Sequence, residues 1–416
     1  MESLAFMTEE QVRRVQDEFG TPVFVYDEAT LDRRGREVLA FPNAFGLTAR
    51  YAMKASPNAA LLRVFHSLGL HIDASSGYEA ERALRAGIPA DHIQITAQEL
   101  PGNLEALIRK GCLFNACSLR QIDAYGALFP GAELSVRMNP GLGSGHNNRT
   151  NVGGPSSSFG IWHEHLDEVF AAVSRHKLRL TGMHTHIGSG SDPEVWLHCA
   201  SLSLAIAARM PEVTRLSLGG GYKIARMSHE IGADLHEIGA RILPAFDRFA
   251  RENGRKLHLE IEPGTYLVAN AGALVCTAMD IVDTGAGGHT FIKVDGGMTE
   301  NLRPSLYGAQ HPIVTVPRTP GNGETMEYLV VGHCCESGDI LTPEPGNPEG
   351  LGPRTLTKIG IGDAVVLEAC GAYCAGMASK NYNTFPECAE VLLQKDGSFR
   401  LIRKRQTLDQ IIQNEV

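Results

Sequence analysis

The stretch LTARYAMKASPNAALLRVFHSLGLHIDASSGYEAERALRAG (47–87) decides the fold. It contains one unit twice: a short β-rich run (LTARYAMKA, LHIDASS), a polar or glycine-bearing turn, then a stretch with apolar residues three and four apart (NAALLRVFHSLG, GYEAERALRAG). The same unit continues through HIQITA (92–97), LFNACS (113–118), LSVRMNP (134–140), LTGMHTHIG (180–188), RLSLGGG (215–221) and LHLEIEPG (257–264). Strand–helix alternation implies parallel βαβ units. Eight of them within about 220 residues imply a (β/α)8 TIM-like barrel rather than an open sheet, because a barrel takes about 250 residues as one domain.

After Gly272 the helical spacing stops. Short apolar runs broken by Gly and Pro follow: GALVCTAMDIVDTG, TFIKVDGG, MEYLVVGHCC, DAVVLEACGAY and AEVLLQKDGSFRLIRKR. They predict a mainly antiparallel β domain. The expected division is a barrel over 30–275, with 1–29 and 276–416 forming a β domain that completes the active site. TPEPGNPEGLGPR (342–354) reads as a surface loop and QTLDQIIQNEV (406–416) as a closing helix.

Composition narrows the function classes. The 416 residues carry 38 Lys+Arg against 47 Asp+Glu, a net charge of −9, with both signs interspersed. No basic face for nucleic acid or anionic lipid is indicated. With 43% hydrophobic and 20% charged residues, the chain reads as globular, and no window approaches 18 uninterrupted apolar residues. MESLAFMTEEQVRRVQDEFG (1–20) has acids where a signal peptide needs a basic then apolar start, and it predicts an amphipathic helix. Nine scattered cysteines, none with zinc spacing, predict neither a disulfide framework nor a metal, and fit a reducing cytoplasm.

Catalytic residues of a barrel gather where its strands end. Here the first run ends in Lys54, the second passes Asp73 to Ser76, and the fifth carries Arg137 and Asn139. The sixth ends in His186 and Ser189, the seventh in Gly219, Gly220 and Gly221, and the eighth in Glu262 and Gly264. An amine, an imidazole, a carboxylate and a glycine-rich anion cradle are the parts pyridoxal phosphate requires. Each alone has a plainer reading: a solvated lysine, a flexible turn, a satisfied histidine. The joint placement carries the argument.

The series YAMKA (51–55), MNPGLGSGH (138–146), GGPSSSFGIW (153–162), HTHIGSG (184–190), LGGGY (218–222) and EIEPG (260–264) continues with VDGGMTENLRPSLYGAQHP (294–312), CCESGDIL (334–341), GAYCAGMASKNYN (371–383) and RLIRKRQTL (400–408). With these motifs in this order, the chain resembles the alanine-racemase-like (fold type III) pyridoxal-phosphate decarboxylases, and within them the diaminopimelate decarboxylases. The resemblance implies that Lys54 is the Schiff-base lysine, that His186 stacks on the cofactor ring, and that Ser189 and Gly219 to Gly221 hold its phosphate. It also implies that Glu262 faces the pyridine nitrogen, where a racemase of this fold has Arg, and so favours decarboxylation. Asp73, Gly264 and Tyr373 complete the implied cofactor site. Cys335 is implied as the proton donor near the reacting carbon, with Arg303, Tyr307, Glu336 and Tyr373 on the substrate. An obligate homodimer follows from the same resemblance, Cys335 and Glu336 reaching the partner's site.

The plainer alternatives remain at this point. Cys335 is readable as a buried apolar thiol, Cys334, Cys370 and Cys374 as packing residues, Asp73 and Arg137 as groups that only orient neighbours, and His184 and His333 as structural. The motif also departs from the family: EPGT has Thr265 where most relatives have Arg, and Lys380 and Arg149 are the candidate substitutes. The implied reaction is decarboxylation of meso-2,6-diaminopimelate to L-lysine and carbon dioxide, the last step of lysine biosynthesis. A related decarboxylase of ornithine, lysine, arginine or a polyamine precursor is the rival, and a non-catalytic cofactor carrier a more distant one.

Overall fold

A computed structural model describes residues 2–142, 153–186, 188–319 and 323–416. Arg149 and the end of the MNPGLGSGH motif lie outside the described residues, as does Ile187. The chain divides into two compact units, Asp32–Ile224 with Ile231–Leu267, and Met1–Leu31 with Ala225–Glu230 and Val268–Val416.

The first unit is the predicted barrel. Its strands are β1 (Leu47–Ala52), β2 (His71–Ala74), β3 (Ile93–Ile95), β4 (Leu113–Ala116), β5 (Glu133–Asn139), β6 (Arg179–His184), β7 (Arg215–Ser217) and β8 (His258–Ile261). Each pairs in parallel with the next, and β8 closes on β1 through Leu259↔Leu47 and Ile261↔Ala49. All eight predicted runs are barrel strands. The connections explain themselves locally. Asn58 caps the helix Ala59–Leu68 by accepting the Ala60 N–H, and that helix stops at Gly69 in the left-handed region. Ser76, at the end of LHIDASS, caps Gly77–Arg85 by accepting from Glu79 N, while the Glu79 carboxylate accepts the Ser75 N–H at 2.7 Å. A strand-end serine therefore also starts the next helix, which is why strand and helix follow with almost no loop.

In the second unit, Gly272–Asp283 pairs antiparallel with Val23–Asp27, Thr290–Val294 and Ala364–Leu367. The sheet extends through Thr325–Val331 and Arg354–Thr357 on one side and Ala389–Leu393 and Phe399–Arg403 on the other. Val23–Asp27 with Ala389–Leu393, and Thr290–Val294 with Thr325–Val331, are parallel, so the sheet is mainly antiparallel, as expected. Alternate residues Val23 and Val25, Ala273 and Val275, Ala364 and Val366, and Val391 and Leu393 share one core. The amphipathic helix Glu9–Phe19, capped by a Thr8–Gln11 box, adds Val12 and Val15 to it. Each valine or leucine among them contributes roughly 1.5–3 kcal/mol on burial.

Two readings are corrected. TPEPGNPEGLGPR is not all loop: Pro343–Glu344 pairs with Asn347–Leu351 in a small hairpin around Gly346. The closing helix is short, Leu408–Ile412, with its own capping box at Thr407.

Candidate active site

In the barrel unit the site starts where β1 stops. A single 3-10 turn, Met53–Ala55, buries Met53 and Ala55 and leaves Lys54 exposed. Gly264 packs on this turn; a Cβ there would lie 3.2 Å from the Ala52 carbonyl and from Ala55. The Lys54 charge acts on Asp73, at the end of β2. Burial first, then the negative charge of Glu262, drives the Asp73 carboxyl well above its usual range, and Lys54 opposes them. One oxygen of Asp73 is buried without a partner.

Glu262, just past β8, is the electrostatic centre. It is 6% exposed, too little for water to solvate the charge, and three side chains serve it instead. His184 Nε2 meets one oxygen at 2.7 Å; Ser217 Oγ at 3.0 Å and Gln94 Nε2 at 3.4 Å donate to the other. Burial pushes its pKa up, but the charge and hydrogen bond of His184, then the charge of Arg50, outweigh that and hold the carboxyl below its ordinary range. His184 is therefore not merely structural; it fixes the ionisation of Glu262. Gln94 and Ser217 were also missed. The available signal was a polar side chain inside an otherwise apolar barrel strand, which needs a partner.

His186 accepts the Gly220 N–H on Nδ1 at 2.9 Å. Burial, then the charges of Arg137 and Lys54, hold its pKa well below the usual value, so the ring is neutral with its proton on Nε2. Gly219, Gly220 and Gly221 admit no side chain. A Cβ would meet His186 Nδ1 at 2.4 Å, the Glu262 carbonyl at 2.2 Å and the Gly188 carbonyl at 1.7 Å, respectively. Ser189 lies against the same turn, its Cα 3.3 Å from the position of a Cβ on Gly221. The structure thus brings Lys54, Asp73, His186, Ser189, the three glycines, Glu262 and Gly264 together at one end of the barrel. Arg137 is buried there too, its guanidinium 4.8 Å over the Phe159 ring.

In the second unit, one helical turn, Arg303–Tyr307, sets the Arg303 guanidinium over the Tyr307 ring at 5.9 Å. Cys335 and Glu336 are exposed on a loop that Asp339 organises from beneath. Its buried carboxylate accepts the N–H of Met298 at 2.7 Å and of Cys334 at 2.9 Å. The buried-thiol reading of Cys335 is thus excluded. Tyr373 sits in the left-handed region at φ 57° between buried Cys370 and Cys374. These thiols and His311 bring their sulfur and nitrogen atoms within 4.8 Å of one another. Burial pushes the Cys374 thiol up, but the hydrogen bond with Cys370 and then the charges of Arg303 and Arg226 outweigh it and favour the thiolate, and two guanidiniums beside the cluster oppose a metal cation there. Arg226, unremarked in the sequence, reaches the Ala369 carbonyl through Nε at 3.4 Å. Lys380 is already paired, 2.6 Å from Glu387, which Arg403 also holds.

A family model described as "Pyridoxal-dependent decarboxylase, pyridoxal binding domain" matches residues 32–269. The diaminopimelate decarboxylase of Escherichia coli (strain K12) is 35% identical, the alignment covering 99% of this chain and 97% of that protein. The chain belongs to the diaminopimelate decarboxylase family. The Streptomyces coelicolor member is likewise 35% identical, over 96% of this chain and 90% of its own. A solved diaminopimelate decarboxylase superposes with a TM-score of 0.92 at 33% identity, covering 100% of this chain and 99% of that one. The Helicobacter pylori enzyme, solved in complex with L-lysine, gives 0.85 at 26% identity over 97% and 98%. The family is pyridoxal-dependent, and the donor set fits that group: an exposed amine, a backbone cradle closed to side chains, and a buried carboxylate held ionised. Among the described residues no helix is long and apolar enough to cross a membrane.

Proposed function

We infer that this protein is a pyridoxal-phosphate-dependent decarboxylase that converts meso-2,6-diaminopimelate to L-lysine and carbon dioxide. The observation that carries the reading is the ionised, buried Glu262 in one cluster with Lys54 and the glycine cradle. Bound pyridoxal phosphate supplies an electron sink for the charge left when carbon dioxide departs. Lys54 would bind it through its amine, Gly219 to Gly221 and Ser189 would hold its phosphate with Tyr373, and Asp73 and Gly264 would complete its pocket. Glu262, anionic because His184, Ser217 and Gln94 hold it so, would keep a proton on the nitrogen of the cofactor ring. Neutral His186 would lie against the cofactor ring without adding a cation. Arg303 and Tyr307 orient the substrate's remaining carboxylate, Glu336 its amine, and Cys335 delivers a proton to the reacting carbon. We further propose a cytoplasmic homodimer in which Cys335 and Glu336 serve the partner's site, with 30–275 as the cofactor domain and 1–29 and 276–416 as the domain that completes it.

The test is carbon dioxide release by protein loaded with pyridoxal phosphate, offered meso-diaminopimelate, L-lysine, L-ornithine and L-arginine. A strong preference for diaminopimelate is expected. Activity confined to a basic amino acid overturns the substrate, and a visible cofactor absorbance that survives Lys54→Ala overturns the role of Lys54.

A further inference from the structure

The SKNYN motif (379–383) has no part in the reading above once Lys380 is set aside, yet it forms the most constrained backbone near Cys335. Asn381, Asn383 and Thr384 stand at φ 58°, 50° and 66°, three non-glycine residues in the left-handed region within four positions. Asparagine tolerates that region, but a β-branched threonine does so only where neighbours enforce it. Here they do. Asn381 Nδ2 donates to the Phe385 carbonyl at 3.0 Å and to Gln406 Oε1 at 2.7 Å, and Gln406 Oε1 also accepts the Glu387 N–H. Glu387 is held by Lys380 and Arg403.

The braced turn meets the cysteine loop twice. The Phe385 ring stacks on His333 with centroids 3.6 Å apart and planes 7° apart, two residues before Cys335. Asn383 Oδ1 accepts the Cys335 N–H at 2.8 Å. In the single chain that bond is exposed, so it adds little to the stability of that chain by itself. Its effect is geometric: it fixes the backbone from which the Cys335 thiol projects, and it does so from a turn braced by its own hydrogen bonds.

We propose that Asn383 is a positioning residue that holds Cys335 in its working orientation, the strained turn 381–384 being the rigid mount. This rests on reading Cys335 as the proton donor. The two substitutions that separate the hypotheses are Asn383→Gly and Asn383→Asp, made in the full-length, cofactor-loaded enzyme. Glycine accepts the left-handed backbone without strain but deletes the acceptor. It should leave the melting temperature within about 2 °C and KM within about threefold, while kcat falls about ten- to a hundredfold, the usual consequence of a roughly 1 Å misplacement of a reacting group. Aspartate accepts the same N–H, so kcat recovers to within a few-fold. Its charge beside the thiol moves the pH profile of Cys335 alkylation by iodoacetamide, followed on the Cys335 peptide, to higher pH. Cys335→Ala is run alongside. If it keeps wild-type kcat, the role of Cys335 fails and this inference with it. If it is inactive while Asn383→Gly keeps wild-type kcat, the inference alone fails. If the glycine variant does not fold, an alkylation profile in Asn383→Asp identical to wild type overturns the proposal.

Discussion

Gly221→Ala tests the anion cradle more sharply than removal of any side chain. Gly221 stands at φ 98°, and a Cβ there would lie 1.7 Å from the Gly188 carbonyl oxygen and 2.8 Å from its carbon. Both obstacles are backbone, so no rotamer change relieves them. To restore even 3.0 Å, the shortest separation real Cβ atoms show, residues 188 and 221 must part by about 1.3 Å. The two segments are joined two residues on by the hydrogen bond from Gly190 N to the Gly221 carbonyl at 2.9 Å. A displacement of about 1 Å costs on the order of a hundredfold in a positioned interaction, or about 2.7 kcal/mol at 1.36 kcal/mol per tenfold. Cofactor affinity should therefore fall by about a hundredfold or more. Gly254→Ala is the control. Gly254 ends the helix Leu235–Asn253 at φ 66° with nothing within 4 Å of its Cβ position. It carries only the left-handed penalty of about 1–2 kcal/mol, a drop of roughly 2–8 °C in melting temperature for a unit of this size, with cofactor affinity unchanged. Titrating pyridoxal phosphate into apoenzyme, followed by visible absorbance, measures both variants. If Gly221→Ala binds the cofactor as tightly as Gly254→Ala, the cradle is not where the phosphate sits.

Replacing His184 by Leu removes the strongest support of the Glu262 charge. A charged hydrogen bond contributes about 1.5–3 kcal/mol, so kcat for carbon dioxide release should fall about ten- to a hundredfold, and a loss under twofold would contradict the assignment. Lys380→Ala breaks an ion pair that is 42% exposed on the lysine side. It should cost under about 1 kcal/mol of stability and leave the KM for diaminopimelate unchanged; a fivefold rise would reinstate Lys380 as a substrate cation. Acid sensitivity should trace in part to His71, whose ring stacks on His92 at 3.8 Å. Burial first, then the charges of His92 and Arg50, lower its pKa from 6.5 to about 4. Above pH 6.5 neither folded nor unfolded chain is protonated there. Between pH 6.5 and 4 the unfolded chain takes up the proton and the folded chain does not, so stability is lost as pH falls. Allowing for partial solvent contact, the loss is about 1–2 kcal/mol. His71→Leu should shrink the difference in melting temperature between pH 7.5 and pH 5, and an unchanged difference would exclude this origin.

The barrel was legible because each strand run carries its own punctuation. LHIDASS ends in the serine that caps the next helix, and RLSLGGG ends in glycines that no other residue can replace. Local chemistry and global topology agree at those points, so reading along the chain recovers them. The supports of Glu262 were less legible because they are relations between strands. Gln94, His184 and Ser217 come from β3, β6 and β7, and nothing in a single run says which polar residue will meet which carboxylate. The same holds for Asn383 and Cys335, which are 48 residues apart.

The departure at EPGT shows the limit most clearly, because charge can be supplied from any part of a chain. Reading along the sequence offered Lys380 and Arg149; Arg149 lies outside the described residues, and the ammonium of Lys380 belongs to Glu387. Arg226 stands in KIARM, a segment with no strand-end signal, and it shares with Arg303 an influence on the Cys374 thiol that each guanidinium exerts by proximity. Its Nε is engaged with the Ala369 carbonyl and its Nη2 is enclosed without a partner. It therefore strengthens the positive field around Arg303 rather than offering a second fork of donors. A cluster built this way would attract an anion by charge while leaving its alignment to the fork of donors that Arg303 carries.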